Sequence, residues 1–218
     1  MWTEGALLKL LRQSDLSRER FEEILQNKSA RRSHVVRRLL AGHPRTPRRE
    51  ALSLVSTLFW RDLAHITSDV RIHPEIRRAA ERDLLRRLPE MALAERIDLA
   101  RSAGRGVLAP LRADLNPKVV AAVLDNRFTT EPDVVQAAAR PQANPSALEA
   151  IAAHPRWTLR PGIRSALLRN SALPTAAGLA LLTSTSSRDL KELLQNPAIS
   201  RLLAACAERV LAERDVPD

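Results

Sequence analysis

Apolar residues along this chain recur in short clusters of helical period, and a polar or proline-bearing start opens each cluster. The pattern is most regular between Asn116 and Pro197. There Asn116-Pro117, Asn144-Pro145, Asn170-Ser171 and Asn196-Pro197 each precede an apolar run, at intervals of 28, 26 and 26 residues. Asn is among the strongest N-cap residues because its side-chain oxygen accepts from an unpaired helix N–H, and Pro at the first helical position loses no hydrogen bond. A second start lies between these: Arg127-Phe128-Thr129-Thr130-Glu131-Pro132-Asp133-Val134 aligns with Arg156-Trp157-Thr158-Leu159-Arg160-Pro161-Gly162-Ile163. Each repeat therefore holds two helix starts, and the spacing predicts helices near 117–125, 131–139, 145–153, 161–169, 174–182 and 188–195. At about 1.5 Å per residue such helices are roughly 12–14 Å long, too short to be stable alone. Each must bury one face on its neighbours.

The remaining clusters extend this reading to both ends. Thr3 caps a short helix through Arg12, carrying Leu7, Leu8, Leu10 and Leu11, which Ser14-Asp15 breaks. Ser17 caps a second through Gln26, with Phe21, Ile24 and Leu25 on one face. A third is predicted from Ala30 to Leu40, burying Val35, Val36, Leu39 and Leu40 and ending at Gly42 as a C′ residue. Residues 1–43 thus read as an N-terminal helical cap with a basic segment. Residues 44–113 read as irregular helix pairs: one starts at Thr46-Pro47 and carries the chain into Phe59-Trp60-Arg61-Asp62-Leu63. Another opens at Pro74 and stops at Pro89, and a third runs from Ala92 to Ser102 before Gly104 and Gly106 interrupt. Residues 114–196 form the regular array, and 197–218 a capping helix and tail, with Ile199, Leu202, Leu203, Cys206 and Val210 on one stripe and Asp215 to Asp218 as a frayed end.

Composition narrows the class to all-α. Aromatics are 3% of residues, Tyr is absent and Gly numbers only six, so the core must come from Leu, Ala, Val and Ile packed in close helices. The single Cys206 excludes an intramolecular disulfide or a multi-cysteine metal site. The N-terminus lacks the layout of an export signal, and no apolar stretch reaches the roughly 18–20 residues of a membrane span, so a cytoplasmic location is expected. Net charge is +10, with 31 of 35 basic residues Arg, a bias that a GC-rich coding sequence also produces. Position is more informative than total: residues 1–50 carry twelve basic and six acidic side chains, while residues 51–100 balance at eight each.

Segment 143–182, from Ala143-Asn144-Pro145-Ser146-Ala147-Leu148 through Leu167-Leu168-Arg169-Asn170-Ser171-Ala172-Leu173-Pro174, resembles the leucine-rich-repeat-variant proteins and, more broadly, bacterial HEAT-like α-solenoids. The likeness covers about 110–213 well and 44–109 loosely, and Ala41-Gly42-His43-Pro44-Arg45 against Ala152-Ala153-His154-Pro155-Arg156 extends it toward the start. It implies an α-solenoid superhelix of short helix pairs in a bacterial protein, some helices 3₁₀-like, without shared catalytic residues. Some proteins with the variant repeat hold an iron–sulfur cluster in a Cys-rich segment; a chain with one cysteine does not carry that feature over.

Candidate chemistry concentrates in residues 28–49, where Lys28, Arg31, Arg32, Arg37, Arg38, Arg45, Arg48 and Arg49 occur with His34 and His43, and no acid stands between Glu23 and Glu50. A helical wheel places Arg31, Arg37 and Arg38 opposite the Val35/Val36/Leu39/Leu40 face, hence exposed. Arg48 and Arg49 in a first helical turn oppose the macrodipole by about 0.3–1 kcal/mol each, which a bound anion would reverse. The alternative is a solvated arginine face neutralised by Glu50, Glu22 and Glu23. Convergence of Arg31, Arg37, Arg38, Arg45, Arg48 and Arg49 with Arg156 and Arg160 would make an anion- or partner-binding surface. Asp62, His65 and Asp69 share a helical face but lack a third strong ligand, and a local Asp62–His65 hydrogen bond is the simpler reading. His43, His73 and His154 each precede Pro and are expected in turns or caps. Phe128 and Trp157 are expected to anchor the core rather than stack on bases, and Cys206 to be a buried small hydrophobe. Glycine-rich phosphate loops, nucleophile elbows and metalloprotease signatures are absent. The expectation is a monomeric, non-enzymatic protein-interaction or scaffolding module without cofactor, metal or catalytic residues, with nucleic-acid binding through the N-terminal arginines as the alternative. Because some HEAT-like solenoids are DNA glycosylases, the resemblance also leaves an enzymatic reading open around Trp60 and Asp62.

Overall fold

A computed structural model of the chain describes residues 3–13, 16–27, 30–197 and 199–214. Met1-Trp2, the expected Ser14-Asp15 break, Lys28 and the Asp215–Asp218 tail lie outside the described residues. The described residues form fifteen α-helices and two 3₁₀ turns, with no strand among them. The chain divides into two compact units, Met1–Val107 and Leu108–Asp218.

In the first unit, α1 (Glu4–Leu11) packs on α3 (His34–Gly42), α3 on α5 (Trp60–Ser68), and α5 on α7 (Leu93–Ser102). Beside that row, α4 (Arg48–Val55) packs on α6 (Pro74–Arg87), and the sequence neighbours α3–α4 and α5–α6 pack on each other. α2 (Arg18–Gln26) adjoins a 3₁₀ turn over Ala30–Arg32, and α8 (Arg105–Leu111) leads out of the unit. The second unit repeats the arrangement: α9 (Pro117–Leu124), α11 (Pro145–Ala152), α13 (Thr175–Leu182) and α15 (Arg201–Arg214) pack in one row. α10 (Glu131–Ala138), α12 (Pro161–Leu168) and α14 (Ser187–Leu194) pack in the other. One continuous apolar cluster from Val120 to Leu211 fills the second unit.

Side-chain caps tie each short helix to the turn before it. Thr3, Ser17, Ser33, Asn116, Asn144 and Ser186 accept from a first-turn N–H, as good N-caps do. A second device holds the turn that follows a helix. His43, Asn126, His154 and Asn170 accept from the N–H two residues on, of Arg45 (3.2 Å), Phe128 (2.8 Å), Arg156 (3.3 Å) and Ala172 (2.9 Å). The hydroxyls of Thr46, Thr129 and Thr158 then reach back to Leu40, Val123 and Ala152 carbonyls, each at 2.6 Å. Links to the preceding repeat complete the set: Trp157 Nε1 donates to Leu124 O at 2.9 Å, and Asn144 Nδ2 to Leu115 O at 2.7 Å. Asn170 Nδ2 serves both Ala138 O (2.7 Å) and Arg140 O (2.8 Å). In the first unit Arg45 and Arg87 bond Leu16 O and Leu58 O across an equal sequence distance of 29 residues.

Several boundaries differ from the sequence expectation, each for a local reason. The run from Ala30 divides at Ser33, whose hydroxyl accepts from Val36 N and starts α3 afresh after the 3₁₀ turn. Gly42 closes α3 from inside and no described glycine has a positive φ; it is small because a Cβ there would lie 2.8 Å from Ile72 Cδ1. Gly104 and Gly106 serve close approach too. A Cβ on Gly104 would fall 2.1 Å from Thr67 O, and Gly106 sits within α8 against the Glu81 carboxylate. Asn170 ends α12 rather than starting α13, which begins after Pro174. Asn196-Pro197 likewise does not start α15: Ser200 Oγ accepts from Leu203 N, and the buried stripe is Leu203, Ala207 and Leu211. Leu202 is 55% exposed and Cys206 half-buried rather than buried.

Asn170 is 9% exposed and supplies three hydrogen bonds to main chain, so Asn170→Ala leaves buried carbonyls unpaired at roughly 1–3 kcal/mol each. Urea denaturation should show a loss above about 2 kcal/mol for Asn170→Ala and a smaller one, about 1 kcal/mol, for Asn144→Ala, whose N-cap bond and single inter-repeat bond to Leu115 O lie at a more exposed position. Equal, small losses would remove the inter-repeat bonds as a source of stability.

Candidate functional site

The arginine segment folds onto carboxylates that arrive later in the chain. Arg31 Nε donates to Leu25 O at 2.8 Å while its Nη2 meets Glu50 Oε2 at 2.9 Å. Arg37 Nη1 closes the 3₁₀ turn by donating to Arg31 O (3.0 Å) and Arg32 O (3.3 Å). Arg38 Nη1 lies 3.6 Å from Asp62 Oδ1, and Arg45 is spent on Leu16 O. Arg48 Nε pairs with Glu75 Oε2 at 2.8 Å, which places an anionic group beside the first turn of α4. Arg49 is exposed and forms no ion pair among the described residues.

This arrangement corrects the expected exposure. Arg31, Arg37 and Arg38 are half-buried, and the buried face of α3 is Val36, Leu40 and Ala41, with Val35 and Leu39 only half-covered. The sequence run contains no acid, but stacking brings Glu50, Asp62 and Glu75 from α4, α5 and α6 against it. Neutralisation therefore comes from Glu50, as expected, and from Asp62 and Glu75, which were not expected, whereas Glu22 pairs with Arg18.

Asp62 is 4% exposed and is the one buried charged side chain among the described residues. Its expected partner, His65, faces solvent one turn on; Asp62 instead holds His34 Nδ1 at 3.2 Å through Oδ2, while Oδ1 faces Arg38. The Phe59 ring, 60% exposed, meets His34 edge-on at 5.6 Å. Trp60 turns elsewhere, donating Nε1 to Glu95 Oε1 at 3.0 Å beneath Arg61, so Trp60 and Asp62 have separate partners. Asp69 accepts Arg71 Nε at 2.9 Å and Nη2 at 2.8 Å. Those side-chain bonds, aided by the Arg71 N–H, outweigh burial and hold the Asp69 carboxyl at about 2 against an ordinary 3.8. Among the described residues no group of three or more His, Cys, Asp or Glu is arranged to hold a metal ion.

Arg156 and Arg160 belong to the second unit, in the α11–α12 turn. The Arg156 guanidinium lies 4.3 Å over the Trp157 ring, and Arg160 Nε is 3.8 Å from Glu131 Oε2. Trp157 is 2% exposed and anchors the core, as its repeat position suggested; Phe128, its counterpart, is half-buried beneath Arg127 at 4.6 Å. His43, His73 and His154 all take turn or cap positions, as their proline neighbours indicate. No signal in the sequence linked Asp62 to His34 and Arg38, because the pairing spans 28 and 24 residues and depends on which helix faces which. In comparison with known proteins, no family model, no curated protein and no solved structure matches this chain.

The lowered Asp69 carboxyl contributes stability that is fully present above about pH 4 and lost as pH falls toward 2, because the unfolded carboxyl takes its proton first. In Arg71→Ala the Asp69 carbon resonance should titrate close to 3.8, and that part of the acid-induced loss should shrink. An unchanged titration near 2 would show that Arg71 is not the cause.

Proposed function

We propose that the chain is an α-solenoid of short helix pairs, of the HEAT-like or leucine-rich-repeat-variant kind, acting as a non-enzymatic, monomeric scaffold for a protein partner in the bacterial cytoplasm. The observation that carries this reading is the recurrence, within each unit, of two helix rows joined by turns of the same capping chemistry. Such stacking places equivalent outward positions of successive repeats side by side, which is how repeat arrays assemble extended binding surfaces. Internal neutralisation of Arg31, Arg38 and Arg48 favours a protein partner over a polyanion, since the cations that would hold phosphates already hold carboxylates. The exposed Arg32 and Arg49, which have no carboxylate partner among the described residues, favour nucleic acid as the second reading.

Fluorescence anisotropy with labelled duplex DNA and single-stranded RNA separates the two. The proposal expects no binding at micromolar protein near physiological salt. Tight, salt-weakened binding that Arg32→Glu/Arg49→Glu abolishes would overturn it in favour of nucleic acid. Repeat stacking makes a further demand: residues 108–218, expressed alone, should remain helical and unfold cooperatively, because each repeat draws its stability from its neighbours. A fragment that is unfolded at 25 °C would contradict a solenoid built in this way.

A further inference from the structure

Successive turns on one edge of the second unit are built alike but closed differently. The α12–α13 turn is sealed. Asn170, next after the Arg169 cap, is buried and bonds the Ala138 and Arg140 carbonyls, and Leu173, just ahead of the α13 cap, is 7% exposed and joins the apolar cluster. In the two preceding turns the same places are left open. Arg140 follows the Ala139 cap of α10, with its side chain exposed and in no ion pair among the described residues. Leu115, just ahead of the Asn116 cap of α9, is 81% exposed, although an apolar residue in that position often packs onto the first turn of its helix. Between the α8–α9 and α10–α11 turns lies a groove of about 320 Å³, with an apolar lining of Ala137, Ala143, Leu148 and Ile151 beside Leu115 and Arg140. Asn144 Nδ2, donating to Leu115 O at 2.7 Å, joins the two turns that bound it.

Charge on this edge has one sign to spare. Arg112, which also lines the groove, is held by Asp133, and Asp114 Oδ1 accepts from Asn116 N at 2.9 Å. Lys118, exposed in the first turn of α9, and Arg140 have no carboxylate partner among the described residues. A cation in a first turn opposes the helix dipole, and an anion bound beside it removes that cost. We infer that this groove docks an acidic segment of a protein partner, whose aliphatic side chain enters beside Leu115 while carboxylates one to three residues away meet Arg140 and Lys118. Such docking presupposes the protein-partner role and specifies the kind of segment bound. Neighbouring helix axes lie about 8–10 Å apart, a span that an extended chain covers in about three residues. The lining favours a peptide over a nucleic acid: a phosphodiester has no aliphatic group to fill the groove, and none of the lining residues is an aromatic on which a base could stack.

The test is a titration of the full chain with a blocked peptide, Gly-Asp-Glu-Leu-Leu-Asp-Glu-Gly, to millimolar concentration near physiological salt, read by backbone ¹H–¹⁵N resonances. Two companion peptides separate the contributions, one with serine in place of both leucines and one with the acids replaced by their amides. Saturable shifts are expected at residues 112–118 and 139–148, and each companion should bind about tenfold more weakly. Lys118→Glu/Arg140→Glu and Leu115→Ser change exposed side chains, so the fold should persist, and each should weaken the first peptide by a similar factor. Absence of saturable shifts, shifts confined to other residues, or unchanged affinity in both variants overturns the inference. Saturable shifts at a different surface would leave the scaffold reading standing, whereas duplex DNA or single-stranded RNA that shifts these same amides and displaces the peptide would overturn both.

Discussion

A helix of eight residues leaves about half of its backbone donors and acceptors without an intrahelical partner. Most helices here have that length, so the ends, rather than the middles, decide whether the fold exists. The answer is a turn that is itself hydrogen-bonded: His43, Asn126, His154 or Asn170 stills the first exposed N–H, and Thr46, Thr129 or Thr158 caps the carbonyls just left behind. Apolar burial then acts between elements already held in shape. Trp157 combines both roles, filling the core with its ring and bonding the previous repeat's Leu124 carbonyl with its nitrogen.

Charge follows the same stacking. The basic segment carries its acids on later helices, so its neutralisation is a tertiary property. Half-burial of Arg31 and Arg38 makes these pairs dearer to desolvate than surface pairs, and removing one partner leaves the other a poorly solvated charge. Three arginines, Arg37, Arg77 and Arg164, sit at the fourth position of their helices and donate back to the carbonyl of a residue ahead of the helix. Several guanidinium groups thus serve as main-chain clamps, a use that net charge alone would hide.

Much of the helical layout was legible. The starts at Pro117, Glu131, Pro145 and Pro161 were marked by Asn, Thr or Pro, whose reasons for standing there are local. The misreadings share one cause. Gly42, Gly104 and Gly106 look like helix breakers by composition, but their small size answers Ile72, Thr67 and Glu81, which only packing brings near. Asn170 reads as another N-cap because an Asn that caps the next helix and an Asn that closes the last one share a local sequence. At the candidate site the individual arginines and histidines were visible, whereas their partners Glu75 and Asp62 were not, since a pairing across 24 or 27 residues needs the register of helix on helix.

If bonded turns hold the array together, their amides must be as closed as those of the helices they join. Native-state hydrogen exchange at Phe128 and Ala172, whose N–H groups donate to Asn126 and Asn170 at 2.8 and 2.9 Å, reads this directly. The account predicts protection comparable to the flanking amides of α9 and α12. Exchange at the rate of an open loop would mean that apolar packing alone supports the short helices and that the turns merely follow.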